Sequence, residues 1–157
     1  MFGFLKEKEV LYAPVEGKTV AMSEVSDPTF GQEILGKGIA IIPSMGKVYA
    51  PTDGTVEMVF DTKHAISMCS ESGIQILIHV GLDTVSLKGE PFVSHVKDGQ
   101  KVKTDDLMLE FDIEAIKAAG LETITPVVIC NSNDYKKITS HVGKDVHKND
   151  KVLTLVK

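Results

Sequence analysis

The sequence lacks the features that mark nucleic-acid-binding, membrane-spanning and exported proteins. It has a formal net charge of −5 and no run of lysine or arginine, which argues against binding to a phosphate backbone. No stretch of about 18 or more apolar residues and no apolar signal-peptide region is present, so we expect a chain that neither crosses a membrane nor is exported. Only two cysteines occur, Cys69 and Cys130, far apart in sequence, and we expect free thiols in a reducing cytoplasm.

The chain length sets the expected domain organisation. A chain of 157 residues with 43% apolar content is long enough for one domain with a sizeable core and too short for two. Residues 1–9 combine an apolar beginning with a charged end, so we expect a flexible N-terminal segment there. The remaining residues, 10–157, are predicted to form a single domain, and we expect a monomer.

The sequence contains an internal duplication. APVEGKT at 13–19 recurs as APTDGTV at 50–56, and GQKVKTDDLMLEF at 99–111 recurs as GKDVHKNDKVLTL at 143–155. A proline at a strand edge, an acid-glycine turn and alternating apolar residues are typical of short antiparallel strands joined by tight turns. Two such units bury their apolar faces by packing as a sandwich.

Helix signals are short. Asp27 and Pro28 favour a helix that runs to Leu35, and Asp112 favours another that ends before Gly120. The predicted fold class is therefore all-β: an antiparallel β-sandwich built from a duplicated hybrid motif, with one or two short peripheral helical turns.

Two histidines lie in apolar segments that read as neighbouring strands. Residues 74–80 are nearly continuously apolar and end around His79, and residues 65–68 follow His64. A hairpin through residues 70–73 predicts antiparallel pairing with His64 opposite His79. From the residues alone, four interpretations stay open: core histidines bonded to carbonyls, a metal pair, a general base with its partner, and a phosphoryl acceptor with a phosphate clamp.

Motifs along nearly the whole chain resemble those of one known family. The matching segments are APVEG at 13–17, FGQEILGKGIAIIP at 30–43, APTDGTV at 50–56 and TPVVICN at 125–131. The most specific is HVGLDTV at 79–85, followed by Leu87, Gly89 and Phe92. With these motifs the chain resembles the glucose-type enzyme IIA of the bacterial sugar phosphotransferase system.

The resemblance implies a role for each histidine. His79 is expected to accept a phosphoryl group from the phosphocarrier protein HPr and to pass it to a cysteine of a IIB partner, for sugar uptake and phosphorylation. The carbonyl of Gly81 is expected to hold Nδ1 of His79, so that Nε2 carries the phosphate. His64 is expected to clamp the phosphoryl oxygens, and Thr62 to orient the His64 ring from the same strand face.

A surface for partner proteins is expected around the histidines, because a phosphohistidine must be protected from water. Its candidate apolar residues are Val80, Ile39, Val59 and Phe60, with a place in the ordinary core as the alternative for each. Asp83 is interpreted either as a turn residue that binds backbone amides or as an acid beside a cation of the partner.

Two departures from the family and a regulatory role complete the expectations. Lys37 and Asn133 stand where an acid is common, and an additional cation beside the site puts acid-dependent partner contacts in doubt.

In the family the unphosphorylated form also binds regulatory targets, in some cases with zinc shared between the two histidines and a partner carboxylate. No cofactor is expected to be required for phosphoryl transfer. The implied location is the cytoplasm, with peripheral association with a membrane permease.

Two other classes remain as alternatives. Zinc endopeptidases that act on cell walls have a similar doubled β architecture, but they need a His-X-His pair on one strand, and the sequence contains none. A biotinyl or lipoyl carrier needs a lysine at an exposed hairpin tip. The tip at 53–55 contains no lysine, and Lys63 does not lie in a convincing turn.

Overall fold

Short extended segments dominate residues 8–157, the part of the chain that this computed structural model describes. The strands are β1 (Lys8–Tyr12), β2 (Gly17–Val20), β3 (Lys37–Pro43), β4 (Lys47–Tyr49), β5 (Gly54–Val59), β6 (Ala65–Ser70), β7 (Gln75–His79), β8 (Phe92–Ser94), β9 (Lys101–Val102), β10 (Leu107–Phe111), β11 (Thr125–Ile129), β12 (Lys137–Ser140), β13 (Asp145–Val146) and β14 (Lys151–Val156). The helices are α1 (Pro28–Gly31) and α2 (Ile113–Ala118), and 3-10 turns lie at Met22–Glu24, Thr84–Leu87 and Ser132–Asp134.

Both helices begin where the sequence predicts, at aspartates that cap them. The carboxylate of Asp27 accepts a hydrogen bond from the Thr29 amide, and that of Asp112 accepts one from the Ala115 amide. The predicted end of the first helix at Leu35 is wrong, because α1 ends at Gly31 and Glu33 then takes a left-handed φ of 56°. With four and six residues, both helices are short, as the sequence predicts.

The strands form one large and two small antiparallel sheets with a common core. The large sheet has the order β13-β2-β3-β11-β7-β6-β5-β9, and the small sheets have the orders β1-β14-β12 and β4-β10-β8. One buried cluster joins residues of the large sheet, such as Ile39 and Ile66, to residues of both small sheets, such as Leu153 and Leu109. This arrangement confirms the predicted antiparallel β-sandwich.

The duplicated sequence motifs occupy equivalent places in the sheets. Gly17 pairs with Val146 across β2 and β13, and Gly54 pairs with Val102 across β5 and β9. The two small sheets match in the same way, since Ser140 pairs with Leu153 and Ser94 pairs with Leu109. The repeats are thus related by a pseudo-two-fold axis that passes between β7 and β11, the two central strands of the large sheet.

A second apolar cluster covers half of the outer face of the large sheet and breaks this symmetry. Val20, Ala40 and Val128 contribute from β2, β3 and β11, and the connection from β2 to β3 covers them with residues that include Phe30. Leu77 of β7 packs against the edge of the cluster. His79 is two residues further along β7, on the same face as Leu77. The cluster therefore ends beside this histidine.

The predicted N-terminal segment lies mainly outside the described residues, which begin at residue 8. Its last two residues belong to β1, where Lys8 pairs with Val156 and Glu9 pairs with Leu155. The observed domain therefore begins at least two residues before the predicted boundary. Within residues 8–157, no helix is long and apolar enough to cross a membrane.

Candidate functional site

The two histidines meet at one end of the hairpin formed by β6 and β7. Ser70 ends β6, and its hydroxyl accepts a hydrogen bond from the Ile74 amide in the turn, so the predicted hairpin is present. The predicted register is wrong by one residue, because Ala65 rather than His64 pairs with His79. His64 instead precedes β6, after Lys63 with its left-handed φ of 59°. The two rings still approach each other, with centroids 4.9 Å apart and planes at 81°.

One nitrogen of His79 is held by the backbone and the other remains available. The Nδ1 atom lies 2.8 Å from the carbonyl oxygen of Gly81. A carbonyl oxygen only accepts, so Nδ1 carries the proton of the neutral ring, and Nε2 keeps a lone pair. Phe30 packs against the same ring, with centroids 4.9 Å apart. The ring is therefore fixed both by a hydrogen bond and by an aromatic contact.

His64 is more deeply buried and has a hydroxyl partner. The residue is 6% exposed, and its Nδ1 atom lies 2.5 Å from Oγ1 of Thr62. Thr62 is in the turn before β6 and not on a strand, so the expected contact arises from turn geometry rather than from strand alternation. Phe60 approaches the His64 ring edge-on, with centroids 5.5 Å apart. When the Thr62 hydroxyl donates to Nδ1, Nε2 of His64 carries a proton that it can donate.

The surroundings favour neutral imidazoles. Burial, and secondly the proximity of His79, lower the pKa of His64 from its usual 6.5 to about 4. Burial also lowers the pKa of His79, while its hydrogen bond to Gly81 and the charges of Asp27 and Asp83 oppose that shift. Near pH 7 both rings are therefore neutral, which leaves His79 with a nucleophilic nitrogen.

The four apolar residues predicted to meet a partner fall into two groups, one buried in the core and one only partly buried. Ile39 is 0% exposed and Val80 is 1% exposed, and both belong to the sandwich core. Their prediction as surface residues is wrong, because their side chains point to the inner face of the large sheet. Val59 and Phe60 are only partly buried, and Phe60 also touches His64.

One aromatic contact of His79, and exposed apolar residues close in sequence to either partner of that contact, were missed by the sequence analysis. Phe30 contacts His79, and Ile34 and Leu35 follow it with exposures of 66% and 42%. Val85, which is 53% exposed, lies in the 3-10 turn that follows Gly81. Phe30, Ile34 and Leu35 all fall inside the motif at 30–43, and the helix predicted to run to Leu35 also covers them.

Asp83 does not act as a conventional turn cap. Its φ is 59°, and its side chain makes no capping hydrogen bond to the 3-10 turn Thr84–Leu87 that it precedes. The carboxylate is exposed, and its charge raises the pKa of His79. The interpretation of Asp83 as a residue whose side chain caps this turn is therefore wrong, and its role beside a cation of the partner stays a prediction.

Lys37 and Asn133 do not lie beside the histidine pair. Lys37 pairs with Ile129 of β11, and Ile129 pairs with Ile76 of β7. Ile76 is three residues before His79, so Lys37 lies two strands away and about 10 Å along the sheet from that histidine. Asn133 is in the 3-10 turn just beyond β11, at the same end of the sheet as Lys37. The prediction of an additional cation beside the site is therefore wrong.

The donor set for a metal ion is incomplete. Among residues 8–157, no three or more histidine, cysteine, aspartate or glutamate side chains are grouped to hold a metal. Both Nδ1 atoms are already engaged, so the two Nε2 atoms supply at most half of a tetrahedral zinc site. A zinc ion here needs ligands from another molecule, and the set required by the alternative zinc hydrolase is not assembled in the described residues.

Comparisons with known proteins agree with this geometry. A family model described as phosphoenolpyruvate-dependent sugar phosphotransferase system, EIIA 1 matches residues 9–135. The PTS system glucose-specific EIIA component of Oceanobacillus iheyensis is 44% identical over 138 residues, which cover 85% of this chain and 84% of that protein. The solved structure of glucose permease IIA from Mycoplasma capricolum superposes with a TM-score of 0.88 at 32% identity, covering 94% of this chain and 96% of that one.

Some similar proteins are much longer. The PTS system beta-glucoside-specific EIIBCA component of Dickeya chrysanthemi is 46% identical over 148 residues, which cover 94% of this chain. The chain spans only 24% of the length of that relative, and 21% of the corresponding component of Bacillus subtilis. Together the matches confirm the resemblance that the sequence motifs indicated.

Proposed function

Because the chain belongs to the EIIA 1 family of the phosphoenolpyruvate-dependent sugar phosphotransferase system, we propose that it carries a phosphoryl group on His79. The group comes from phosphohistidine on HPr and passes to a cysteine of a IIB partner. The observation that carries this proposal is the held ring of His79, whose Nδ1 faces the Gly81 carbonyl at 2.8 Å while Nε2 lies free beside His64.

Each transfer is a displacement at phosphorus. In the first, Nε2 of His79 forms the new N–P bond with its lone pair as the N–P bond of the donor breaks and its electron pair returns to the donor ring. In the second, the thiolate of the IIB cysteine attacks phosphorus, and Nε2 of His79 recovers its lone pair. Negative charge spreads over the three equatorial oxygens during both steps.

His64 stabilises that charge. Its ring is neutral near pH 7, and with Nδ1 facing the Thr62 hydroxyl it donates from Nε2 to a phosphoryl oxygen. Because His64 is buried and its Nδ1 is hydrogen-bonded, the donor needs little reorganisation during the reaction. The sequence contains no arginine, so a guanidinium that contacts the phosphoryl group must come from the partner protein.

The partner surface surrounds His79. Exposed Ile34, Leu35 and Val85 offer an apolar area, and the carboxylates of Asp27 and Asp83 add negative charge beside the ring. Partners with an apolar patch and a nearby cation fit this combination. We propose that HPr and a IIB domain bind this surface one after the other, and that the transfer takes place in the cytoplasm at a membrane permease.

Zinc is proposed to bind here only as an ion shared between the two histidines and a regulatory partner.

Labelled phosphoenolpyruvate, incubated with enzyme I, HPr and this chain, tests the proposal. The expected product carries one phosphoryl group per chain that is labile in acid and stable in base, as phosphohistidine is. A stoichiometry near two, or a label that survives acid, contradicts a single histidine acceptor.

Substitution by glutamine separates the two histidines. His79→Gln is expected to abolish acceptance from HPr, because no other group is positioned for in-line attack. His64→Gln is expected to accept the group but to pass it to IIB about 10² to 10³ times more slowly, the effect of losing one charge-stabilising donor. Single-turnover transfer measures both. Acceptance by His79→Gln together with failure of His64→Gln reverses the assignment.

A further inference from the structure

A buried hydroxyl that has no role in the proposed phosphoryl transfer supports the segment after His79. Thr84 is 0% exposed, and its Oγ1 donates a hydrogen bond to the carbonyl oxygen of Val80 at 2.5 Å. The residue belongs to the HVGLDTV motif at 79–85 but was not among the predicted site residues. Its hydrogen bond reaches the carbonyl of the residue that directly follows the proposed acceptor.

Both peptide groups that flank Gly81 are held in place. The Val80 carbonyl, on one side, accepts from Thr84, and the Leu82 amide, on the other, donates to the carbonyl of Glu122 at 3.1 Å. Gly81 itself has a φ of 73° and lacks a side chain that could limit its rotation. Its carbonyl is the group that faces Nδ1 of His79. These two anchors therefore decide where that carbonyl points.

Val80 also connects the segment to the second histidine. The amide of Val80 donates to the carbonyl oxygen of His64 at 2.7 Å, while its carbonyl accepts from Thr84. Packing around Gly81 leaves no room for a side chain, since a Cβ atom there would lie 2.6 Å from both Cγ2 of Thr84 and the Glu122 carbonyl oxygen. Thr84 thus acts on a residue, Val80, that directly follows His79 and whose backbone is hydrogen-bonded to the backbone of His64.

We propose that Thr84 is a positioning residue: its hydroxyl holds the Val80–Gly81 peptide so that the Gly81 carbonyl faces Nδ1 of His79 and Nε2 remains the reactive nitrogen. The consequence for phosphoryl transfer rests on the proposed function. The consequence for the tautomer of His79 does not, because it is a property of the free protein.

A simpler role for Thr84 is that of a buried threonine whose hydroxyl needs a partner. Thr19 provides the matched control for that role. It is also 0% exposed, and its Oγ1 donates to the carbonyl oxygen of His141 at 2.7 Å, but it lies in β2, which β3 and β11 separate from β7. Valine in place of either threonine keeps the shape and removes the hydroxyl, so each variant leaves a carbonyl without its donor, and Thr19→Val also leaves the Lys144 amide without its acceptor.

The experiment compares Thr84→Val, Thr84→Ser and Thr19→Val by the ¹⁵N chemical shifts of His79 at a pH where the ring is neutral. In the wild-type protein and in Thr19→Val, we expect the proton on Nδ1. In Thr84→Val we expect a mixture with a substantial share of the Nε2–H form, and in Thr84→Ser a return to the wild-type shifts. Unchanged shifts in Thr84→Val, or equal changes in Thr19→Val, overturn the proposal.

Phosphoryl transfer from HPr gives the second readout. Thr84→Val is expected to accept the group about tenfold more slowly, which corresponds to one hydrogen bond of ordinary net strength, and Thr84→Ser is expected to restore the rate. If no wild-type phosphorylation occurs, the proposed function fails, while the nitrogen shifts still decide the role of Thr84. Should Thr84→Val fail to fold, Thr84→Ser and Thr84→Ala make the same comparison, because both lose the methyl group and only the alanine variant loses the hydroxyl.

Discussion

At the scale of single residues, burial and hydrogen bonding make two identical side chains chemically different. His79 has Nδ1 against a carbonyl, which can only accept, so its free Nε2 is an electron-pair donor. His64 has Nδ1 against a hydroxyl, which can donate, so its Nε2 can carry a proton. An electron-pair donor and a hydrogen-bond donor thus stand with ring centroids 4.9 Å apart. This division of roles depends on Gly81 and Thr62 rather than on the histidines themselves.

The lowered pKa of His64 predicts a pH-dependent loss of stability. The pKa is about 4 in the folded protein and near the usual 6.5 in the unfolded chain, so between these values the unfolded chain binds more protons. His64 therefore stabilises the folded state above pH 6.5, and this contribution is lost as the pH falls toward 4. The expected slope is up to about 1.4 kcal/mol per pH unit.

Urea unfolding between pH 7 and pH 4 measures this effect, with His64→Gln as the comparison. The variant is expected to show a shallower decline in the free energy of unfolding, with His79 supplying part of what remains. Equal slopes for the two proteins contradict a depressed pKa at His64, and so does an NMR titration of the His64 ring with a midpoint near 6.5.

At the scale of structural elements, the shortest helix has the most direct connection to the site. α1 has only four residues, but it begins at Asp27 and carries Phe30, which packs on the His79 ring. Residues of the same connection bury the apolar outer face of β2, β3 and β11. The helix is therefore held by packing rather than by helix propensity, since a helix of this length is not stable alone.

Asp27 is predicted to act on His79 through its charge as well as through its cap. Asp27→Asn keeps a side-chain oxygen for the Thr29 amide but removes the charge that raises the pKa of His79, so that pKa is expected to fall. NMR titration of the His79 ring measures the change. Asp112→Asn, at the cap of α2, is the matched control and is expected to leave the His79 titration unchanged. An equal response to both substitutions contradicts a direct charge effect.

At the scale of the whole molecule, the two repeats are interleaved rather than side by side. β2 pairs with β13, which comes about 125 residues later, and β1 pairs with β14, the last strand. The sandwich core accordingly contains Val152, Leu153 and Leu155, each 0% exposed. The C-terminal strands thus complete both the small sheet and the edge of the large one.

Truncation after residue 136 is predicted to prevent folding. The shortened chain keeps both histidines and all of the residues 9–135 that match the family model, but it loses β12, β13 and β14. Removing three fully buried side chains costs several kcal/mol each, which exceeds the stability of an ordinary domain. Circular dichroism and the dispersion of amide NMR signals report the loss. Deletion of Lys157 alone, which follows β14, is the control and should leave both unchanged.

The patterns in the sequence were sufficient to predict the architecture and to single out the two histidines that the structure brings together. The repeats at 13–19 and 50–56 predicted paired strands, and those strands occupy equivalent positions, because turn residues and alternating apolar residues act locally. The hairpin between the histidines also follows from local pattern. These predictions needed no knowledge of distant contacts.

Only the tertiary structure decided how the site is assembled. The register across β6 and β7 differs from the prediction by one residue, because His64 enters from a turn with a left-handed residue that strand alternation does not describe. Ile39 and Val80 were predicted at the surface, but they face the core, since the face of a strand is set by which sheet covers it. Phe30 reaches His79 through packing between elements far apart in sequence. Local preference thus determined the strands and turns, while long-range packing determined which side chains surround the two histidine rings.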